Sequence, residues 1–295
     1  MKVYPMKIAP AVFEKPWGDG RLRALFGKGE EGRRIGECAE LSPTLRVAEG
    51  ELAGVTLSQL AGRYGEEFTG GEHKGLPFGI RLVDAMHRTP PYVYPDEHEA
   101  RGMHGHYELA IVLRAEVNAG IYAGMRDALS KEAFLERAAK GTLTRAMHFL
   151  PASAGDVFFL SGGLPVAVGG GVTLLAVSGG SDERFTAEGN EAEKCFGCIQ
   201  MDLRAMKYVG KAEELGSRRV RRAAFGSLSA EEQILSGSAE EETGDRLTAI
   251  FFAEGEGKLE AGGEERRFQK GDTFLIPAEA ENFRMEGRAV LYLFR

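Results

Sequence analysis

Two segments of the chain space their apolar residues three and four positions apart, which predicts amphipathic helices. The first helix is predicted to begin after Thr56, because Thr56 and Gln59 form the pattern of a capping box, and its apolar positions continue to Phe68. The second is predicted from Ser130 to Lys140, with Ser130 as its N-cap and a glycine directly after it.

Most of the other apolar stretches are short, rich in β-branched residues and bounded by Gly, Pro or Asp, which predicts strands. Before residue 200 they lie at 80–85, 108–113, 118–122, 156–160 and 172–177. After residue 200 they lie at 248–253, 257–260, 265–268, 273–276, 282–285 and 289–294. Short strands at this spacing, with few helices between them, predict a mainly β protein built as sandwiches or barrels.

One stretch of the sequence recurs with the same pattern. Residues 154–163 and 270–278 each contain a Gly-Asp pair, then an apolar strand, then a turn of small residues. A repeat offset by about 116 residues predicts two similar barrels in tandem. The junction should fall between 185 and 245. We place the N-terminal domain, with a helical insertion, at 1–200 and a smaller C-terminal domain at 201–295.

Charged residues narrow the classes of partner. With 37 Lys and Arg against 44 Asp and Glu, the net charge of −7 argues against a protein dedicated to nucleic acid or to anionic membranes. A basic run at 217–222 and an acidic run at 240–242 fall in the predicted junction. The basic run could bind a phosphate, but a solvated connecting segment is the interpretation that we favour.

The apolar runs and the cysteines indicate a cytoplasmic protein. No apolar run reaches 18 residues, so no transmembrane helix is expected, and Pro5 and Pro10 lie where a signal peptide needs an apolar helical core. Three cysteines do not make a disulfide framework. Cys195 and Cys198 form a C-x-x-C pair that could serve a redox or zinc role, but we predict two ordinary thiols on a loop.

Several motifs together resemble a known family. They are Glu-Lys-Pro-Trp-Gly at 14–18, Arg-Ile-Gly-Glu-Cys-Ala-Glu-Leu-Ser at 34–42, and the segments 56–60, 76–85, 93–97, 155–159 and 271–277. In order and spacing the chain resembles, over nearly its whole length, the short bacterial class of type I phosphomannose isomerases. That resemblance implies tandem cupin barrels and, in the family, the interconversion of mannose 6-phosphate and fructose 6-phosphate.

The family reaction sets clear chemical needs. A proton moves between C1 and C2 of an open-chain sugar, which requires a positioned acid or base. A metal inside the barrel mouth stabilises the developing oxyanion, and cationic groups hold the phosphate. At the positions that the resemblance assigns to metal ligands, this chain has Tyr92, Tyr94, Glu108 and Pro165. Because zinc needs three or four N, O or S donors, the resemblance predicts a degenerate site without a metal cofactor.

The remaining chemistry-bearing residues leave alternatives open. Glu108 is the same residue type as the metal ligand that the family has at this position. Arg184 lies two residues before the family's arginine position, where this chain has Thr186, so Glu108 and Arg184 are the catalytic candidates. Arg81 takes the place of a family lysine. It could bind a phosphate, or it could pair with Glu108 or Asp84. Tyr92 and Tyr94 could hydrogen-bond a sugar hydroxyl or simply fill the volume that a metal would need.

A relocated metal is a further alternative. In a strand, His104, His106 and Glu108 would project to one side, with His98 upstream, and two His with a Glu can hold zinc. However, the three residues span about 13 Å of a flat strand, so a bend at a glycine would be required. Otherwise these histidines are exposed on a Gly-rich loop.

Two functions follow from these patterns. The first is a sugar- or sugar-phosphate-binding protein on an isomerase scaffold, without the ancestral chemistry. The second is an active mannose 6-phosphate/fructose 6-phosphate isomerase with a rearranged zinc site. In both, the partner is a small molecule rather than a nucleic acid or a membrane, and exposed barrel edges make a homodimer possible.

Overall fold

The computed structural model describes residues 1–71, 75–96, 105–208, 212–215, 217–225 and 227–295. These residues form a mainly β protein with few, short helices, which confirms the predicted fold class. The helices are α1 Arg21–Phe26, α2 Leu57–Tyr64, α3 Glu66–Thr69, α4 Lys131–Ala139 and α5 Ala192–Cys198. Short 3₁₀ turns lie at Leu143–Ala146, Gly189–Glu191 and Ala278–Ala280.

The strands run along the whole chain. In the first half they are β1 Met6–Ala9, β2 Ala11–Asp19, β3 Ile35–Leu41, β4 Arg46–Val47, β5 Gly79–Ala85, β6 Tyr92–Val93, β7 Tyr107–Ala115, β8 Gly120–Met125 and β9 Met147–Pro151. They continue as β10 Val157–Ser161, β11 Val166–Val168, β12 Val172–Gly179, β13 Phe185–Thr186, β14 Met206–Tyr208 and β15 Ala212–Leu215. The last six are β16 Arg218–Phe225, β17 Leu228–Glu242, β18 Thr248–Ala261, β19 Glu264–Gln269, β20 Thr273–Ile276 and β21 Asn282–Phe294.

Two sheets face each other to form the N-terminal barrel. The first has the order β14-β10-β7-β12-β5-β3-β2, and the second has the order β13-β6-β11-β8-β9. Apolar side chains fill much of the space between them, including Val83, Ala110, Phe158, Val166 and Leu174. The opposite face of the first sheet packs against α1, α2 and the C-terminal sheet, so it is covered on both sides.

The C-terminal barrel is one sheet of nine strands. Its order is β15-β16-β17-β21-β18-β20-β1-β4, with β19 paired to β18. Strands β1 and β4 therefore join a sheet that is otherwise built after residue 211. Conversely, β14 pairs with β10 at the edge of the N-terminal barrel. The domain boundary at residue 200 stays a prediction.

A row of glycines shapes the long strands of the C-terminal barrel. Gly237 of β17 pairs with Gly287 of β21, which in turn pairs with Gly257 of β18. Gly287 has φ 147°, and a Cβ there would lie 2.4 Å from the carbonyl oxygen of Glu256. Glycines at such positions allow a sheet to bend sharply. The predicted pairs of short strands at 248–253 and 257–260, and at 282–285 and 289–294, are therefore single bent strands.

The predicted internal repeat is visible in the backbone. Gly155 and Gly271 both have φ 87°. The side chain of Asp156 accepts the N–H of the residue three positions earlier at 2.7 Å, and Asp272 does the same at 3.1 Å. Each turn leads into an equivalent strand, β10 or β20. The same Gly-Asp turn thus starts one strand of each barrel.

The solvated connecting segment predicted around the charged runs is wrong. The basic run lies in β16 and the acidic run ends β17, and these two strands pair along the full length of β16. Arg221 pairs with Glu232, and Arg222 with Glu231 at 3.1 Å, while Val220 between the arginines is buried. Cross-strand pairing of opposite charges stabilises a strand that looks like a linker in sequence.

Both predicted helices are confirmed, and their caps explain where they start. Thr56 Oγ1 accepts the N–H of Gln59, and the Gln59 side chain accepts the N–H of Thr56, which completes the capping box of α2. Ser130 caps α4 in the same way through its side chain. No helix among the described residues has the length and apolar character to cross a membrane.

The C-x-x-C pair lies on a helix, so its predicted loop position is wrong. Cys195 and Cys198 belong to α5, and neither forms a disulfide bond with a residue that the structure describes. Cys195 is buried in the apolar cluster that also contains Phe134 of α4. Burial raises the pKa of the Cys195 thiol to about 12, which makes it a packing residue rather than a reactive one.

Candidate functional site

Polar side chains project from the first sheet into the N-terminal barrel. Arg81 pairs across β3 and β5 with Ala39, so it shares a face with Glu37, two residues before Ala39. Strand β12 pairs with both β5 and β7, and its register with them puts Glu108 of β7 on the same face as Arg81. Because side chains alternate along a strand, Glu37, Arg81 and Glu108 all point toward the barrel interior.

Arg81 bridges two of the predicted site residues. Its Nη2 donates to Glu108 Oε2 at 2.6 Å, and its Nη1 donates to the hydroxyl of Tyr94 at 2.5 Å. The Glu108 side chain is only 2% exposed, so this ion pair is shielded from solvent. Asp84, the other partner considered for Arg81, instead accepts a hydrogen bond from Thr173 at 2.7 Å.

His106 completes this cluster from the opposite side. Its ring stacks on Tyr94 with centroids 3.5 Å apart, and its Nδ1 lies 2.9 Å from the carbonyl oxygen of Ser181, so Nδ1 donates the hydrogen bond. The Nε2 atom is 3.5 Å from Glu108 Oε2 and has no hydrogen-bond partner among the described residues. The exposed-loop prediction is therefore wrong for His106, which Tyr94 covers. His104 and His98 lie outside the described residues.

The electrostatics of the cluster fix its protonation states. Burial alone would raise the pKa of Glu108, but Arg81 and His106 outweigh it and lower that pKa to about 2. Burial raises the pKa values of the Tyr92 and Tyr94 hydroxyls above their ordinary range. At neutral pH the site therefore holds a carboxylate–guanidinium pair between neutral phenols.

A second group of charges lies around Arg184, whose side chain is more exposed than Glu108, and we call this part of the barrel interior its mouth. Arg184 donates to Glu37 Oε1 at 3.3 and 3.4 Å, and its guanidinium lies over the Tyr92 ring at 5.1 Å. Lys15 Nζ is 3.5 Å from the other Glu37 oxygen. Burial raises the pKa of Glu37, but Arg184, Arg81 and Lys15 outweigh it and lower the net value. The structure thus places Arg184 near Tyr92 but pairs it with Glu37 rather than with Glu108.

The crevice at the mouth is small, and apolar, aromatic and polar groups line it. Trp17, Glu37, Tyr92, Arg184 and Thr186 contribute to its walls, and its volume is about 20 Å³. This is room for about one water molecule. The two tyrosines are buried with their rings in edge contact, 5.8 Å apart. They fill the barrel interior, as one of the two alternatives for these residues predicted.

Trp17, Lys15 and Glu37 were missed by sequence reasoning as site residues. All three lie in the segments at 14–18 and 34–42 that carry the family resemblance. Strand β2 pairs with β3 next to Glu37, which brings the two segments together. A charged residue inside an otherwise apolar strand was the available signal for Glu37, because such residues need a buried partner.

The described residues do not fit a zinc site. No group of three or more His, Cys, Asp and Glu side chains among them could hold a metal ion. Pro165 has no donor side chain, and its carbonyl oxygen already accepts the N–H of Gly124 at 2.9 Å. Glu108 forms an ion pair with Arg81, and the guanidinium bound to this carboxylate repels a second cation.

Comparisons with known proteins show which proteins the chain is similar to. A family model described as the cupin domain of mannose-6-phosphate isomerase matches residues 229–293. The mannose-6-phosphate isomerase ManA of Bacillus subtilis is 27% identical, with 98% of each chain covered. Over nearly its whole length the chain is thus similar to bacterial mannose-6-phosphate isomerases. A second bacterial isomerase, from Streptococcus mutans, is 24% identical over 96% of this chain and 95% of its own.

Solved isomerase structures confirm the tandem cupin fold. The mannose 6-phosphate isomerase from Bacillus subtilis superposes with a TM-score of 0.87 at 23% identity, covering 99% of both chains. A variant of the phosphomannose isomerase from Salmonella typhimurium superposes with a TM-score of 0.78 at 13% identity, covering 98% of both. At sequence identities this low, the superpositions show that the fold is shared. Which site residues act in this chain stays a prediction.

Proposed function

We propose that the N-terminal barrel binds a sugar or sugar phosphate at its mouth without the metal-dependent isomerisation of its relatives. One observation supports this proposal above the others. The Arg81 guanidinium bonds Glu108 and Tyr94, which occupy two of the positions that the resemblance assigns to metal ligands. The Arg81 guanidinium therefore occupies the position that a metal ion would need. Tyr92 and Tyr94 fill the rest of the barrel interior.

The charge of the mouth suits an anionic sugar. Arg81, Arg184 and Lys15 supply three cations around the two carboxylates Glu37 and Glu108, in a protein whose net charge is −7. A positive cavity in an acidic protein attracts anions selectively. Arg184 is 22% exposed on its side chain, so its guanidinium is accessible to a phosphate.

An unpaired polar atom and an aromatic ring provide further contacts for a sugar. The Trp17 Nε1 group is a buried donor without a partner among the described residues. Buried donors normally find an acceptor, and sugar hydroxyl or phosphate oxygens supply one. The Trp17 ring also offers an apolar face beside the crevice. The crevice has room for about one water molecule, so we place the sugar over its opening, against Trp17 and Arg184, and not inside it.

Proton transfer is poorly served by the same residues. A general base works best with a pKa near the working pH. The pKa of Glu108 is about 2 and that of Glu37 is lowered, so both remain ionised and are weak bases at pH 7. The raised pKa values of Tyr92 and Tyr94 make them weak acids. We therefore expect binding without turnover.

The second candidate is an active aldose–ketose isomerase with a rearranged metal site. His106 favours it, because its Nε2 is buried, unpartnered among the described residues and 3.5 Å from Glu108 Oε2. Two ligands of one tetrahedral zinc ion lie at about this separation. The Arg81 contact to the same Glu108 oxygen opposes it.

Calorimetric titration with mannose 6-phosphate tests binding at the mouth. We expect wild-type protein to bind, and Arg184→Ala to bind about tenfold more weakly, because a charge-assisted contact is lost. The matched control is Arg114→Ala, an exposed arginine of β7 that forms no ion pair with the residues described here. Absence of binding by wild-type protein, or equal weakening by both variants, contradicts the proposal.

Turnover separates the two candidates. Purified protein is incubated with mannose 6-phosphate, with and without added zinc, and fructose 6-phosphate is followed. We expect no product in either case. Product formation that depends on zinc and disappears in Glu108→Ala supports the isomerase instead.

A further inference from the structure

A second cluster of charged side chains lies at an open end of the C-terminal barrel, outside the site described above. It comprises four arginines, Arg218 of β16, Arg222 of β16, Arg246 before β18 and Arg295 after β21, which we call the arginine cluster. Arg218, Arg246 and Arg295 line a pocket of about 420 Å³. That volume is in the range of small-molecule sites, and it far exceeds the crevice of the N-terminal barrel.

The bend of the long strands creates this arrangement. Beyond the glycine row, β17 turns back, and its Glu241 reaches Arg218, which pairs with Leu235 just before the row. Arg295 lies 3.7 Å from the same carboxylate and donates to the backbone carbonyl of Glu242 at 2.8 Å. Residues far apart in sequence therefore meet at one barrel end.

The lining of the pocket holds arginines and glutamates in equal number, namely Arg218, Arg246 and Arg295 with Glu240, Glu241 and Glu242. Glu241 is largely buried and pairs with Arg218 and Arg295, while Glu240 and Glu242 are exposed. Glu231, also largely buried, pairs with Arg222 and Arg295. A ligand is therefore bound by the arginine donors that these carboxylates leave unpaired.

Two donors of the cluster are available to a ligand. Arg246 is exposed and forms no ion pair with any residue that the structure describes. Arg295 is 11% exposed on its side chain, and its Nε has no hydrogen-bond partner among the described residues. Burial lowers the pKa values of Arg218 and Arg295, and Glu231 opposes that effect.

We infer that the pocket of Arg218, Arg246 and Arg295 binds a phosphate-type oxyanion. Planar guanidinium groups match the geometry of phosphate oxygens and bond them in pairs. The anion completes the hydrogen bonds of Arg246 and Arg295. The chemistry is the same for free phosphate and for the phosphate group of a monoester, and the experiment distinguishes these two sources.

The test measures binding of inorganic phosphate to the full-length protein by calorimetric titration. Arg246→Ala removes an exposed side chain without an ion pair, so its folding should be unaffected. We expect it to weaken phosphate binding about tenfold. Arg267→Ala is the matched control, because Arg267 is an exposed arginine of β19 in the same barrel. Equal affinity in wild-type and Arg246→Ala proteins, or equal weakening by both variants, overturns the inference.

Mannose 6-phosphate and Arg184→Ala separate this site from the N-terminal one. Binding of inorganic phosphate that depends on Arg246 but persists in Arg184→Ala assigns a free anion to the C-terminal pocket. Binding of the monoester alone, with the same Arg246 dependence, assigns an esterified phosphate. If every phosphate compound that binds depends only on Arg184, the C-terminal site does not exist, although the proposed function stands.

Discussion

Removal of Arg81 should leave a buried carboxylate without its counter-charge. Glu108 is 2% exposed, and its pKa is about 2 in the folded protein against an ordinary value of 4.5. A carboxyl group with a depressed pKa contributes stability that is present above pH 4.5 and is lost as the pH falls toward 2. The difference corresponds to about 3 kcal/mol. We expect Arg81→Met to lose about 3–5 kcal/mol at pH 7, which is the usual effect of breaking a buried ion pair.

Thermal unfolding at pH 7 and pH 4 provides the assay. For a protein of this size the loss corresponds to a decrease in Tm of about 10 °C at pH 7. Without Arg81, burial raises the pKa of Glu108, so the carboxyl group becomes protonated at a higher pH and the difference from wild type shrinks at pH 4. Arg81→Met/Glu108→Leu should recover most of the lost stability, because neither charge remains.

The control is Arg114→Met, which removes an exposed arginine from the strand that carries Glu108 and should leave Tm unchanged. The reasoning about Arg81 is refuted if Arg81→Met unfolds within about 2 °C of wild type at pH 7. It is equally refuted if the loss is as large at pH 4 as at pH 7.

Other parts of the fold give further predictions. Gly287→Ala should lower Tm strongly, because its Cβ meets a carbonyl oxygen at 2.4 Å. Gly62→Ala, in helix α2 with open space around it, should raise Tm slightly. Lys28→Met should cost about 3–5 kcal/mol in a denaturant titration, since Lys28 is the buried partner of Glu40 at 2.9 Å; a value under 1 kcal/mol would contradict that ion pair's role. Dialysis against EDTA should change neither Tm nor mannose 6-phosphate affinity, and a chelator-dependent loss would point to the rearranged metal site.

The features that could be predicted from the sequence are those set by nearby residues. The helix caps and the Gly-Asp turns depend on contacts within about four residues, so the pattern of Thr56 and Gln59 sufficed for α2. The strand breaks predicted near Gly257 and Gly287 were wrong because a glycine that ends a strand and one that bends it look alike in sequence. Only the register with Gly237 shows that the three form one row.

The candidate site depended on information that the sequence holds only indirectly. Arg81, Tyr94 and Glu108 were all named from the resemblance, but the choice of Glu108 over Asp84 as the partner of Arg81 follows from the strand register. The burial of His106 required knowing that Tyr94 stacks upon it. Such contacts join elements that are distant along the chain, which local patterns do not specify.

The entry of strand β1 into the C-terminal sheet has a consequence for dissecting the molecule. Met6 pairs with Leu275, and β1 also carries β4 at the far edge of that sheet. A fragment that starts at residue 201 would leave the backbone of β20 uncovered, an open edge that invites self-association. The two halves are thus interlocked, and a split version of the protein would need the first fifty residues supplied together with the last hundred.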